Sequence, residues 1–154
     1  MKIIIKKFDK KYKKEIIRLI FKTFGKMDLE EVSEFEIEDI SKSEYRELRN
    51  YLVFVKQKMI GTCGLYSAKE HPENIIFNGW LVIKSKYRNK GIGTKLIKKL
   101  EKEAKILNKK FIYVVAYNPS IKFYYKMGFK KSKSKKLRKF YMPKDCTLMY
   151  KRLL

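Results

Sequence analysis

Residues 87–96 have the sequence YRNKGIGTKL, and this stretch decides the fold of the chain. It follows the apolar run WLVI, carries glycines at positions 91 and 93, and continues directly into an amphipathic repeat. A glycine-bearing turn between a strand and a helix exposes backbone N–H groups beside the positive end of the helix dipole. Gly91 and Gly93 have no Cβ to hold an anion away from the backbone, and Arg88 and Lys90 add positive charge. The segment therefore predicts a phosphate-binding turn.

Two familiar phosphate-binding templates do not match this turn. A dinucleotide-binding fingerprint needs a third glycine where this chain has Leu96, and GIGTK lacks the spacing of a P-loop. Taken alone, the turn is equally compatible with a tight connection whose glycines only permit close packing.

The turn is one of two motifs that together resemble the GCN5-related N-acetyltransferase (GNAT) family. VIKSKYRNKGIGTKLI (82–97) has the form V-x-x-x-x-x-[RQ]-x-x-G-x-G of that family's acyl-CoA-binding signature. Further along, NPSIKFYYKMGF (118–129) is similar to the family's second signature, a helix led by Asn and ending F-Y-x-x-x-G-F. The closing DCTLMYKRL resembles the family's last strand.

The hydrophobic pattern along the chain predicts a mixed α/β sheet, and the resemblance implies the acyl-CoA N-acyltransferase fold as a single domain over residues 1–154. The expected order is β-α-α-β-β-β-α-β-α-β-β. The elements are a strand at 2–8, a helix from an Asp9 cap to Phe24, helical pieces within 28–50, a hairpin around KQK, a strand at 75–84, a helix from the turn to about Asn108, a strand at 110–117, a short helix between Pro119 and Gly128, and terminal strands in FKKSK and CTLMYKRLL.

The resemblance implies acetyl-CoA as the acyl donor and places it along two segments. The pantetheine arm would pair with the backbone of one strand, in a gap between it and the next parallel strand. Asn118 would be a further contact. The implied cofactor-binding residues are Leu81, Val82 and Ile83 for the arm, and Arg88, Asn89, Lys90, Gly91, Ile92, Gly93 and Thr94 for the pyrophosphate.

The same resemblance implies catalytic roles. Tyr124 matches the family's tyrosine that protonates the departing thiolate, whereas Tyr125 is one position late and would face elsewhere. Many family members carry a glutamate within the strand that holds the arm, but IIFNGWLVI (75–83) has no carboxylate. Glu73, or His71, is the candidate general base acting through water. A bulge at Asn78-Gly79 would aim one N–H at the thioester carbonyl.

The implied reaction is direct attack of a primary amine on acetyl-CoA within a ternary complex. The charge pattern gives conflicting indications about the acceptor. Seven of the 16 acidic residues lie within 28–39, which favours a cationic small amine, polyamine or peptide. The basic run KKSKSKKLRK (130–139) favours an acidic partner, and the net charge of +23 leaves nucleic acid or the ribosome as an alternative partner for a binding module. A GNAT-like protein that binds coenzyme A without turnover is the third reading.

The remaining composition suggests an ordinary soluble enzyme. The longest apolar runs are too short to span a bilayer, and the start of the chain lacks a signal-peptide pattern. The two cysteines have no metal-type spacing, so no metal site is expected. We expect a cytoplasmic protein without membrane association, and a homodimer is possible by analogy with the family.

Overall fold

The computed structural model describes residues 1–25, 33–138 and 144–154. Seven strands form one sheet in the order β1-β2-β3-β4-β5-β7-β6. The strands are β1 (Ile4–Lys7), β2 (Tyr45–Val55), β3 (Lys58–Ala68), β4 (Ile75–Ile83), β5 (Phe111–Tyr117), β6 (Lys130–Lys131) and β7 (Cys146–Arg152). Adjacent strands are antiparallel except β4 and β5, which are parallel. The predicted mixed α/β sheet is confirmed.

Four α-helices accompany the sheet in the described part of the chain. They are α1 (Lys13–Phe24), α2 (Ile92–Ile106), α3 (Ile121–Lys126) and α4 (Lys135–Arg138). The carboxylate of Asp9 accepts a hydrogen bond of 3.0 Å from the Lys11 backbone N–H and caps a 3-10 turn, after which α1 begins. None of the described helices is both long enough and apolar enough to cross a membrane.

The helices divide the sheet into two covered faces. We call the face under α2 and α3 the α2 face; its core includes Leu96 and Leu100 from α2 packed against Ile76 and Ile112 of the central strands. We call the opposite face, under α1, the α1 face. Its core contains Ile16, Leu19, Ile20, Phe35, Leu52, Phe54, Met59 and Val82. A third cluster, formed by Ile75, Phe77, Leu137 and Leu148, packs α4 against the central strands.

The prediction of helix within residues 28–50 is wrong where the structure describes it. Ser33–Glu36 and Ile40–Lys42 are single 3-10 turns, and Tyr45 begins a strand of 11 residues. Residues 26–32 lie outside the described ranges. The charged positions of this segment resembled a solvated helix face. Glu47, however, binds the buried ammonium of Lys109 at 2.8 Å, a partner that local sequence does not reveal.

The two predicted terminal strands are confirmed as the antiparallel pair β6 and β7, but helix α4 was not predicted. The basic run at 130–139 contains the two-residue strand β6 and then helix α4, and residues 139–143 are not described. Within the described ranges the order is β-α-β-β-β-α-β-α-β-α-β. The predicted hairpin around KQK is confirmed: Lys56 and Gln57 adopt positive φ angles of 48° and 67° between β2 and β3.

Candidate functional site

The parallel strands β4 and β5 pair over only part of their length. Their backbones are in register from Ile75 opposite Phe111 to Asn78 opposite Val114. Beyond this point the described pairing of β4 is with β3 and that of β5 is with β7. The two strands therefore separate after Asn78 and leave a gap in the sheet. This confirms the splay expected between them.

A β-bulge lies at the start of the gap, which confirms the bulge predicted near Asn78-Gly79. Gly79 pairs with Gly64 and Val82 pairs with Thr62, so two residues of β4 oppose one residue of β3. Trp80, within the bulge, has a φ of 41°. The extra residue reverses the alternation of side chains along β4. Asn78 consequently contacts the α2-face layer, whereas Trp80 packs on the α1 face.

The backbone of β4 presents polar groups to the gap. The N–H of Lys84 donates to the Ile60 carbonyl on β3 at 2.8 Å. Because the backbone N–H and carbonyl groups of successive residues point to opposite edges of a strand, those of Val82 also point towards β3. Leu81 and Ile83 then direct their N–H and carbonyl groups to the other edge. The Ile83 carbonyl accepts a 2.8 Å hydrogen bond from the Arg88 side chain, which agrees with this direction.

The turn that opens α2 adopts the conformation that its first glycine requires. Gly91 has a φ of 78°, and no side chain makes a capping hydrogen bond at this N-terminus. The Lys95 N–H is the first to bond within the helix, to the Gly91 carbonyl at 3.2 Å. The N–H groups of Ile92, Gly93 and Thr94 therefore have no partner within the helix. This end of α2 offers unpaired donors to an anion.

The two glycines of the turn serve different purposes. A Cβ on Gly91 would meet nothing within 4 Å, so that residue is needed for its backbone conformation. A Cβ on Gly93 would lie 3.2 Å from the Phe123 ring, so Gly93 lets α2 approach α3 closely. The packing explanation left open by the sequence therefore applies to Gly93.

Tyr124 of α3 is buried beside the gap. Its side chain is 5% exposed and packs between the rings of Phe123 and Phe129, whose centroids lie 5.1 and 5.3 Å away. The phenol oxygen accepts a 3.2 Å hydrogen bond from the Asn78 side-chain amide. Burial raises the pKa of Tyr124 well above its usual range, so the phenol stays protonated. Tyr125 is 48% exposed, as its later position in the motif predicts.

Asn78 carries an unsatisfied polar atom. Its side chain is 4% exposed, and its Oδ1 has no hydrogen-bond partner among the described residues. An unpaired buried acceptor costs about 1 to 3 kcal/mol, so such atoms are uncommon without a purpose. This one lies where β4 and β5 part. A ligand with an N–H or O–H group in the gap would satisfy it.

Two other residues singled out from the sequence lie away from the gap. Glu73 is exposed and precedes β4 at the end far from the gap, about 20 Å of strand from Leu81. His71 is buried, and its Nδ1 accepts a 2.9 Å hydrogen bond from the Ala68 N–H. The structure does not bring either residue to the gap.

Asn118 lies at the open end of the gap, where β5 ends. Its Oδ1 accepts a 3.0 Å hydrogen bond from the Thr147 hydroxyl, and its N–H donates to the Asp145 carbonyl at 2.8 Å. The side chain thus ties β5 to β7 near the gap.

One buried carboxylate on the α1 face is not evident from the sequence. Glu34 is 6% exposed and accepts side-chain hydrogen bonds from Trp80 and Asn50. Burial raises its pKa to about 7, and these hydrogen bonds offset part of that effect. The acidic segment was visible in the sequence. Nothing in that segment distinguishes the one buried carboxylate from its exposed neighbours.

Comparison with protein-family models gives a match to the acetyltransferase (GNAT) family over residues 14–129. The chain belongs to the GNAT family. No curated protein sequence matches this GNAT chain.

Solved GNAT structures share the fold of the whole chain. A GNAT-family acetyltransferase from Staphylococcus aureus Mu50 matches with a TM-score of 0.79 at 23% identity, covering 99% of this chain and 100% of that one. The PaiA N-acetyltransferase of Thermoplasma acidophilum, solved with coenzyme A, gives 0.69 at 20% identity and 99% coverage of both chains. Tetrahymena GCN5 gives 0.75 at 19% identity, covering 100% and 97%.

Proposed function

We propose that this acetyltransferase is a single N-acetyltransferase domain over residues 1–154 that transfers the acetyl group of acetyl-CoA to a primary amine by direct attack. The observation that carries the proposal is the gap between β4 and β5. One side of the gap holds the buried Tyr124–Asn78 pair, and the strand that borders it leads to the uncapped N-terminus of α2.

The gap and the turn suit an extended donor with an anionic end. The diphosphate would accept hydrogen bonds from backbone N–H groups within residues 88–94, where the helix dipole also favours negative charge. The amide groups of pantetheine would pair with the gap-facing backbone of Leu81 and Ile83. A pantetheine N–H near the bulge would donate a hydrogen bond to the Asn78 Oδ1. The related structures solved with coenzyme A support this choice of donor.

Two groups of the chain suit the chemistry of thioester aminolysis. The Leu81 N–H, next to the bulge, would donate to the carbonyl oxygen as negative charge develops on it. Tyr124 would donate its proton to the departing thiolate. The Asn78 amide donates to the phenol oxygen rather than accepting from it, which leaves the phenol proton available. Glu73 is not part of this proposed site because it lies at the far end of β4.

The α1 face of the gap suits a cationic acceptor. Phe24, at the end of α1, lies 6.0 Å from the Trp80 ring on β4 and 5.4 Å from the Tyr117 ring on β5, measured between centroids. It therefore bridges the two strands where they separate. Aromatic faces attract ammonium groups by cation–π interaction. We propose a small amine, a polyamine or a peptide amine as the acceptor class.

The proposed function is tested by following thiol release from acetyl-CoA. The purified protein is incubated with spermidine, tyramine and a lysine-containing peptide, and products are identified by mass. We expect amine-dependent release of coenzyme A with a gain of one acetyl group on at least one acceptor, and thermal stabilisation by acetyl-CoA. Stabilisation without amine-dependent release would instead support a coenzyme A-binding protein without turnover. No stabilisation by millimolar acetyl-CoA would contradict the donor site itself.

A further inference from the structure

We infer that Glu34 is the catalytic base that takes the proton from the attacking amine. This inference rests on the proposed function and names a residue for a role that β4 leaves empty, because residues 75–83 contain no carboxylate.

The fold brings Glu34 to the border of the gap. Glu34 belongs to the 3-10 turn Ser33–Glu36, which is anchored on the α1 face by the buried ring of Phe35. Its carboxylate accepts a side-chain hydrogen bond from Trp80, the bulge residue of β4. The bulge is what turns Trp80 to this face. A carboxylate from outside β4 thus lies beside the bulge.

Glu34 and Tyr124 approach the gap from opposite faces of the sheet. Tyr124 contacts Asn78 on the α2 face, and Glu34 contacts Trp80 on the α1 face, only two residues further along β4. Aminolysis needs two proton transfers at different atoms, one from the amine nitrogen and one to the sulfur. An acid and a base on separate sides of one gap meet this requirement without exchanging a proton with each other.

The surroundings of Glu34 favour a carboxylate that titrates near neutrality. The charge of Glu34 acts on the phenols of Tyr45 on β2 and Tyr66 on β3, whose pKa values are raised chiefly by burial, so both phenols are neutral at pH 7. Lys7 of β1 and Arg49 of β2 line the adjoining cavity. Burial raises the pKa of Glu34 to about 7. A base with a pKa near the working pH combines an available unprotonated form with useful proton affinity.

A cavity gives Glu34 a route for releasing the proton. The cavity has a volume of about 490 Å³ and lies against the edge of β2 beyond the end of β1. Glu34 and its hydrogen-bond partner Asn50 both line it. Water entering from this edge would exchange the proton with solvent after each turnover, while the gap side stays occupied by the reactants.

The step balances without a further reagent. The amine nitrogen forms a bond to the acetyl carbon as the carbon–sulfur bond of the thioester breaks. The proton lost by nitrogen goes to the Glu34 carboxylate, and the thiolate takes the proton of Tyr124. The tyrosinate then recovers a proton from solvent, and Glu34 releases one through the cavity.

The test compares Glu34→Gln with Glu36→Gln across pH. Glu36 lies two residues away on the same turn, but its side chain is 62% exposed and pairs with Lys13 at the surface. Thiol release is measured from pH 5.5 to 9.5 with acetyl-CoA and the fastest amine among spermidine, tyramine and a lysine peptide. We expect Glu34→Gln to lower kcat by about 10² to 10⁴-fold and to remove the acidic limb of the pH profile near 7. Glu36→Gln should retain both the rate and the limb.

A second readout is independent of turnover. Trp80 is the single tryptophan of the chain and hydrogen-bonds to Glu34, so its fluorescence reports on that carboxylate. A transition near pH 7 is expected in the parent protein and in Glu36→Gln but not in Glu34→Gln. Thermal stabilisation by acetyl-CoA, measured on each variant, verifies that it is folded.

The outcomes separate the inference from the function on which it rests. A parent protein that releases no thiol with any amine contradicts the proposed function, and the base assignment falls with it. An active parent protein together with a Glu34→Gln variant that keeps its rate overturns the base assignment alone. A slower Glu34→Gln variant that keeps the acidic limb also overturns it, because a purely structural role predicts that combination.

Discussion

The side-chain amide of Asn78 on β4 donates a 3.2 Å hydrogen bond to the phenol oxygen of Tyr124 on α3. Both side chains are at least nine-tenths buried, and the second polar atom of Asn78 has no partner among the described residues. The phenol oxygen is therefore fixed as an acceptor, while its own proton is free to be donated. This hydrogen bond joins β4, at the point where it separates from β5, to α3, the helix of the second sequence motif.

Replacing Tyr124 by Phe should slow turnover without removing the donor. The variant keeps the ring between Phe123 and Phe129 but loses the proton intended for the thiolate, so we expect kcat to fall about 10²-fold. The affinity for acetyl-CoA, measured by calorimetry, should change little.

Tyr125→Phe is the matched control for this variant, since it deletes the same hydroxyl one residue later at an exposed position. Equal kcat values for the two variants would mean that Tyr124 serves only in packing. A loss of about 1 to 3 kcal/mol in the free energy of unfolding is expected for Tyr124→Phe alone, because the buried Asn78 amide loses its acceptor.

The N-terminus of α2 gives a prediction about donor binding. Gly91→Asp should raise the Kd for coenzyme A at least about tenfold, because a carboxylate would face the diphosphate at the unpaired N–H groups. Gly91→Asn is the control, because it places a neutral side chain of nearly the same size on the same left-handed backbone and lacks only the charge. Isothermal titration with coenzyme A distinguishes the two. Equal Kd values would show that strain, rather than charge at the turn, weakens binding.

The elements that depend on contacts between residues close together in the sequence could be predicted from the sequence alone. The turn at Gly91, the helix after it and the orientation of Tyr124 relative to Tyr125 depend on glycine conformation and helical spacing. The apolar strand β5 was predictable from its composition for the same reason. These features also form the proposed donor site, and they include the two motifs that resemble the family.

The features that could not be predicted depend on contacts between residues that are distant in the sequence. The first residues of β2 have helix-compatible charges, but they pair with β3 as a strand, and Glu47 binds Lys109, which is distant in the sequence. The sequence indicates Glu73 or His71 as a base because both precede β4, but the first residues of that strand separate them from the gap. Glu34 is distant in sequence from every motif, and only the bulge at Trp80 brings the two together.

The ring of Phe24 gives a prediction about the acceptor. Phe24→Ala should raise the KM for the amine while the Kd for acetyl-CoA stays the same, because this ring bridges Trp80 and Tyr117 on the α1 face only. Phe21→Ala, three residues earlier on α1 and also partly buried against the α1-face core, controls for general loosening of the helix. Steady-state kinetics with each substrate varied in turn separates the two constants. An increase in the acetyl-CoA KM alone would place the amine elsewhere.

The titration of Glu34 makes the stability of the protein depend on pH in a defined window. Its pKa is about 7 in the folded protein, compared with 4.5 for an ordinary glutamate, so between these values the folded state binds more protons than the unfolded state. The free energy of unfolding therefore falls by about 3 kcal/mol in total as pH rises through this window. Above the window, Glu34 contributes no further change with pH.

Glu34→Gln has no such loss of stability as pH rises. Its stability relative to the parent protein should increase by about 2 to 3 kcal/mol between pH 5 and pH 8, measured by urea unfolding followed through Trp80 fluorescence. Other carboxylates titrate in both proteins and cancel in the difference. A stability difference that is the same at both pH values would mean that Glu34 ionises normally and is not the buried base.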